Sequence, residues 1–248
     1  MSDSNLRLGM HFATRGAITA GIFDVDGVLL ASLHERAWRE ALQGFASQDR
    51  FTTEIYQAHV AGKPRLSGAR AVLEALDVPD AEQRAEAYAE RKQKRLEELI
   101  HAGEFSAFPD ALRFVQAILE LGWPMAVASS SRNANQMMQQ VHLRSGRTLL
   151  EVFRVNVCGR NLRRGKPDPE LFLLAASELA QSPAHCLVVE DAPAGVEAAR
   201  TGGMMALGVA RLGDEALLDA AGANLVVTSL DEVDVNELAG GRLRRRLT

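Results

Sequence analysis

Two aspartates separated by one residue follow the first strongly apolar run of the chain. Asp24 and Asp26 lie in the segment GIFDVDGVL, which spans residues 21–29. Buried carboxylates are costly unless they are paired, hydrogen-bonded or bound to a metal. With a magnesium ion to offset the charge of a phosphate monoester, Asp24 could attack phosphorus and Asp26 could carry the proton of the leaving oxygen. Taken alone, the pattern is also compatible with a strand that ends in a polar turn.

Other apolar runs end in groups that suit the same chemistry. Ser129–Ser131 follow one run, Glu190 and Asp191 follow another, and Lys166 lies in a turn before a helical segment. Open parallel sheets bind ligands beyond the carboxyl ends of their strands, so we expect these groups to lie close together. Acidic oxygens such as those of Asp24 and Asp191 would hold magnesium, while the lysine and a serine hydroxyl would hold phosphoryl oxygens.

The elements that position these residues alternate between two kinds. Buried strands are predicted at 18–23, 124–128, 185–189, 204–209 and 224–227, with a weaker candidate at 153–157. Helices are predicted between them, for example at 110–121, 169–179 and 195–201. This alternation predicts an α/β fold whose core is a doubly wound, Rossmann-like parallel sheet with helices on both faces.

The region 33–106 breaks the alternation and is predicted to be an all-helical insertion. Its clearest helix runs from Asp80 to about Ala102. Asp80 and Gln83 form a predicted capping pair, and Gly103 stands where a C-terminal glycine belongs. The predicted core therefore comprises residues 18–32 and 107–240 on either side of the insertion.

A lysine falls on the apolar face of that helix. Lys92 is in phase with the stripe formed by Ala85, Tyr88, Leu96 and Leu99. Two interpretations stay open from the pattern alone. The side chain either snorkels to water along the helix surface or has a function on the inward face.

Composition disfavours several classes of partner. The 248 residues are 47% hydrophobic with a net charge of −4, which offers no overall basic field for nucleic acid. No apolar run reaches the ~18–20 residues that span a bilayer, so we expect no membrane association. Cys158 and Cys186 lack a metal-binding spacing, which is typical of reduced core cysteines in a cytoplasmic protein. Residues 1–17 are predicted to be a loose extension and 241–248 a basic, solvated tail.

Four stretches, in this order, resemble the signature of the haloacid dehalogenase-like phosphotransferase superfamily: residues 24–28, Ser129, Lys166 and residues 190–191. The resemblance covers about residues 18–212. It implies that Asp24 is the nucleophile and that Asp26 is the general acid and base. It implies phosphate binding by Ser129, Ser130 and Lys166, and a magnesium site formed by Asp24, Asp26, Glu190 and Asp191.

The insertion point directly after the first motif resembles the helical-cap group of this superfamily, and within it the beta-phosphoglucomutase-like subfamily. Residues 34–38, 62–65, 91–93 and 128–133 resemble segments of that group. The resemblance favours a functional Lys92, and it implies substrate contacts by His34, Arg65, Lys92, Arg132 and Asn133. The link between Gly27 and His34 is shorter than in these relatives.

The sequence thus predicts magnesium-dependent phosphoryl transfer on a small phosphorylated sugar, most simply by a monomeric phosphatase. Beta-phosphoglucomutase activity is the close alternative, and a non-catalytic sugar-phosphate sensor is the distant one. Asp26 argues against dehalogenation and against phosphonate cleavage, since neither chemistry needs an acid at that position.

Overall fold

The computed structural model describes residues 17–31, 33–60 and 65–247. Most of the predicted N-terminal extension, the residue at the predicted core boundary (Ser32), the segment 62–64 before Arg65, and the last residue of the tail lie outside these ranges.

The core is a parallel sheet of six strands in the order β3-β2-β1-β4-β5-β6. The strands are β1 Ala20–Phe23, β2 Met125–Val127, β3 Val155–Asn156, β4 Cys186–Glu190, β5 Met205–Val209 and β6 Leu225–Val227. All six predicted strands are therefore confirmed, including the weaker candidate, which is the edge strand β3. The predicted fold class is confirmed as well.

Helices cover both faces of the sheet because its strands are apolar on both sides. In β4, Leu187 and Val189 face one hydrophobic cluster, while Cys186 and Val188 face the other. Three helices pack on the first face: α5 Pro109–Glu120, α6 Ala134–Gln140 and α10 Val235–Ala239. Three pack on the second: α7 Glu170–Glu178, α8 Pro193–Thr201 and α9 Glu215–Ala220. This two-sided packing is the physical reason for the continuous apolar runs in the sequence.

Within its described part, the inserted region contains helices and no strand: α1 His34–Ala41, α2 Thr53–His59, α3 Arg65–Ala75 and α4 Ala81–His101, with one short 3-10 helix, Gln48–Arg50. It has a hydrophobic core of its own. We call this inserted region the cap. Helix α4 joins it to the sheet core, because Tyr88 and Ala89 pack in the core of the cap and Leu96 and Leu99 pack in the sheet core. Lys92 lies between them, at the junction.

The two chain passages between cap and core run side by side. The amide of Ala31 donates to the carbonyl of Ser106 at 2.8 Å, and the amide of Phe108 donates to that of Leu29 at 3.0 Å. We call residues 27–31 and 106–108, which contain this pairing, the hinge segments, or the hinge for short. In the described ranges, no helix has the length and apolarity that a membrane crossing needs.

Two sequence predictions need correction. Asp80 precedes α4 with φ 55 in the left-handed region and makes no side-chain capping bond, so the predicted capping pair with Gln83 is wrong. A capping side chain reaches the helix amides from extended backbone, which Asp80 lacks. Gly103 does end the helix in left-handed conformation, with φ 68. The arginines of the tail are exposed, in keeping with a solvated segment, but the tail is not a free end, because its backbone pairs with the segment 232–234 as far as Arg246.

Candidate active site

The strand register brings the predicted acidic residues together. Phe23 of β1 is level with Val189 of β4 and with Val127 of β2. The residues that follow these strands therefore share one edge of the sheet. The amide of Asp24 donates to the carbonyl of Val189 at 3.0 Å, which places its carboxylate beside Glu190.

Lys166 lies among the carboxylates at this edge. Its Nζ donates to Asp24 Oδ1 at 2.7 Å and also to Glu190 Oε1. Burial by itself would lower the pKa of Lys166, but these two carboxylates raise it far above its ordinary value. Lys166 is therefore a permanent cation beside the predicted nucleophile.

The residues present fit a divalent cation. Oxygens of Asp24, Glu190 and Asp191 lie within 4.8 Å of one another. Burial raises the pKa of Asp24 and of Asp191, and the like charges of their acidic neighbours raise both further. One lysine does not balance three carboxylates, and hard oxygen donors crowded in this way suit magnesium.

Two glycines make room for these carboxylates. A Cβ atom added to Gly27, whose φ is +85, would lie 1.8 Å from Asp191 Oδ2. A Cβ atom added to Gly195 would lie 1.9 Å from Glu190 Oε1. A side chain at either position would push the neighbouring carboxylate away, so glycine is what leaves both acidic groups where they lie.

Asp26 faces the same space from the first turn after β1. Burial raises the pKa of Asp26 to about 6, against the opposing charges of Lys92 and Lys166 and a hydrogen bond with the Ser131 side chain. Its Oδ1 atom is buried and has no hydrogen-bond partner among the described residues. A carboxyl group that titrates close to neutral pH can both give and take a proton.

The cap contributes a buried cation. Lys92 is only 3% exposed, and its Nζ lies 5.3 Å from the centre of the Trp38 ring. Burial lowers the pKa of Lys92 to about 8, the nearby charge of Arg65 lowers it too, and Asp26 opposes the shift. Lys92 therefore points inward and does not snorkel to water along the helix surface.

His34 supports that lysine. Lys92 Nζ lies 3.1 Å from His34 Nδ1. Burial and the charge of Lys92 lower the pKa of His34 to about 3, so the ring is neutral at physiological pH and its Nδ1 accepts from the ammonium group.

The residues of the loop 129–133, which follows β2, differ in their exposure to solvent. Ser129 is buried, and its Oγ accepts from the amide of Ser131 at 3.1 Å. Ser130 and Arg132 are exposed, and Arg132 packs against Gly159. Asn133 is half-buried and lines an open cleft of about 660 Å³ between α4 and α6.

The sequence interpretation missed two residues that organise the site. The sequence pattern singles out Ser131 only as part of a serine run, although its hydroxyl lies close enough to Asp26 to lower the pKa of that carboxyl. Glu170 was not noted at all. Its carboxylate accepts from the amides of Arg163 and Arg164 at 3.3 and 3.1 Å, which fixes the loop before Lys166. An acidic residue at the start of α7 was the available signal.

Known proteins resemble this chain over most of its length. The family model of haloacid dehalogenase-like hydrolases matches residues 18–203. A beta-phosphoglucomutase from Mycobacterium bovis is 32% identical and is aligned over 87% of this chain and 91% of its own length. Hexitol phosphatase A from Escherichia coli is 30% identical and is aligned over 89% of this chain and 95% of its own length.

Solved structures agree with this assignment. The crystal structure of an archaeal beta-phosphoglucomutase from Pyrococcus sp. strain ST 04 superposes with a TM-score of 0.72 and 29% identity, over 90% of this chain and 99% of that one. The chain belongs to the haloacid dehalogenase-like hydrolase family.

Proposed function

We propose that the protein is a magnesium-dependent phosphatase that hydrolyses a small phosphorylated sugar through an aspartyl-phosphate. The observation that carries this proposal is the grouping of Asp24, Lys166 and two further carboxylates at one sheet edge, with Asp26 facing them. A nucleophile, a phosphate-binding cation and a proton carrier are the parts that phosphoryl transfer needs.

Each residue then has a role in the reaction. A carboxylate oxygen of Asp24 bonds to phosphorus while the bond from phosphorus to the sugar oxygen breaks. Asp26 gives its proton to that oxygen, and then takes a proton from the water that cleaves the aspartyl-phosphate. Lys166, Ser129 and Ser130 hold the phosphoryl oxygens. Magnesium, held by Asp24, Glu190, Asp191 and the Asp26 backbone carbonyl, would neutralise charge on the phosphate.

The cap supplies selectivity in this proposal. We assign residues 33–106 to the cap, 18–32 and 107–240 to the core, 1–17 to an extension and 241–248 to the tail. His34, Arg65 and Lys92 approach the substrate from the cap, and Arg132 and Asn133 from the core. The support is Lys92, a buried cation whose charge acts on Asp26 across the junction between cap and core.

Beta-phosphoglucomutase activity is a second candidate. The same cap cations favour it, since a bisphosphate intermediate needs a positive hold away from the metal. The M. bovis and Pyrococcus relatives carry that name. For either activity we propose a monomer in the cytoplasm, in keeping with two free cysteines.

The test is phosphate release from a panel of sugar phosphates, with magnesium or with EDTA. Asp24→Asn should abolish release, whereas Asp77→Asn, a change at an exposed carboxylate, should not affect it. Beta-glucose 1-phosphate with a bisphosphate primer belongs in the panel. Isomerised product with little free phosphate would assign the mutase instead. No conversion of any substrate, in either metal condition, would contradict both activities.

A further inference from the structure

Arg211 connects the turn that follows Asp26 to the rest of the core. It lies in the loop after β5, at the same edge of the sheet as the acidic cluster, and its side chain is 13% exposed. Its Nε and Nη2 atoms lie 3.4 Å from the carbonyl oxygens of Gly27 and Val28. These two residues directly follow Asp26.

Asp110 holds the other side of the guanidinium. Its carboxylate accepts from Arg211 Nη1 at 2.8 Å and from Nη2 at 3.2 Å. It also accepts from Ser229 Oγ at 3.1 Å and from the amide of Leu230 at 2.8 Å. Burial alone would raise the pKa of Asp110, but the bonds from Arg211 and Leu230 outweigh it and hold this pKa below its ordinary value. The pair is therefore fully charged and its orientation is fixed.

The same arginine contacts both passages of the hinge. Its guanidinium lies 4.0 Å from the centre of the Phe108 ring, which belongs to the segment 106–108. Gly27 and Val28, whose carbonyls it approaches, belong to the segment 27–31. The loop between is a tight turn, in which the amides of Leu29 and Leu30 donate to the carbonyl of Val25 at 3.0 and 2.9 Å. Arg211 therefore holds both hinge segments together at the end that adjoins the sheet core.

We propose that Arg211, backed by Asp110, is a positioning residue that fixes the 25–30 turn and so holds the Asp26 carboxyl in place. The catalytic part of this inference rests on the proposed function. The geometric part does not, because it concerns only how firmly the turn is held.

The first measurement is amide hydrogen exchange over residues 27–30. Arg211→Lys keeps the charge opposite Asp110 but loses the planar fork that reaches both carbonyls. The matched control is Arg113→Lys. Arg113 pairs with Asp231 and so joins α5 to the 3-10 helix Leu230–Glu232, as Asp110 does through the amide of Leu230, but Arg113 has no hydrogen bond to the turn among the described residues. Exchange at these amides should accelerate in Arg211→Lys and in Asp110→Asn, and stay unchanged in the control.

The second measurement compares phenyl phosphate with p-nitrophenyl phosphate in the presence of magnesium. The two substrates are nearly equal in shape, but the nitrophenolate leaves with little help from an acid. In Arg211→Lys, kcat/KM for phenyl phosphate should fall by about tenfold, a part of the roughly 10²–10⁴-fold that general acid–base catalysis contributes. The value for p-nitrophenyl phosphate should stay close to that of the unchanged protein.

Equal losses with both substrates, or unchanged exchange over residues 27–30, would overturn the inference. If the unchanged protein released phosphate from neither aryl phosphate and from no sugar phosphate of the panel, the proposed function would fail instead. The exchange experiment would then still decide whether Arg211 holds the turn.

Discussion

Replacing Lys92 by methionine should stabilise the folded protein and lower its enzymatic activity. Lys92 is 3% exposed, and its pKa falls from 10.5 to about 8 in the folded state. At about 1.36 kcal/mol for each pH unit, this depression corresponds to about 3 kcal/mol by which folding disfavours the ammonium form. Methionine has a similar length and no charge, so Lys92→Met should raise the free energy of unfolding at pH 7 by about 1–3 kcal/mol.

The difference in stability between Lys92→Met and the unchanged protein should also depend on pH. Between pH 8 and 10.5, the unfolded chain binds a proton at Lys92 that the folded chain has released. The stability of the unchanged protein therefore rises across this window relative to that of Lys92→Met, and the advantage of the variant disappears as the pH rises. Urea unfolding at several pH values measures this difference.

Activity should move the other way, because the lysine faces Asp26 and the proposed substrate. We expect kcat/KM on the preferred sugar phosphate to fall by about tenfold or more, as for the loss of one charged hydrogen bond. Lys94→Met, an exposed change on the same helix, should leave both stability and activity nearly unchanged. A destabilised Lys92→Met, or a gain that persists above pH 10.5, would refute this account of Lys92.

Three further predictions follow from the site and its supports. Gly27→Ala should abolish magnesium-dependent turnover, because the new Cβ atom would lie 1.8 Å from Asp191 Oδ2; unchanged magnesium affinity by calorimetry would contradict this. Asp110→Asn should lower stability at pH 7, and the stability difference from the unchanged protein should shrink in acid. The reason is that the depressed pKa of Asp110 contributes stability above the unfolded value of 3.8, and this contribution is lost as the pH falls through the folded pKa. Urea unfolding from pH 7 down to pH 3 tests this prediction. Magnesium should raise the melting temperature of the unchanged protein and not that of Asp24→Asn, and an equal shift in both would argue against the acidic cluster as the metal site.

The core of the fold could be predicted from the sequence because its signals are local. Strands buried on both faces appear as continuous apolar runs, and the alternation with helices leaves a parallel sheet as the simplest arrangement. The catalytic candidates were predictable for the same reason. Asp24, Ser129 and Glu190 each lie at or directly after the end of such a run, and parallel strands end at a common edge.

Tertiary structure decided what depends on partners distant in the chain. The inward direction of Lys92 follows from α4 packing in two cores at once, and its own helical period left that undecided. Arg211 and Asp110 carry no local pattern, and only the fold brings them against the turn that holds Asp26. Charged side chains are exposed by default, so a buried ion pair can be recognised only when the surrounding elements that remove its water are in place.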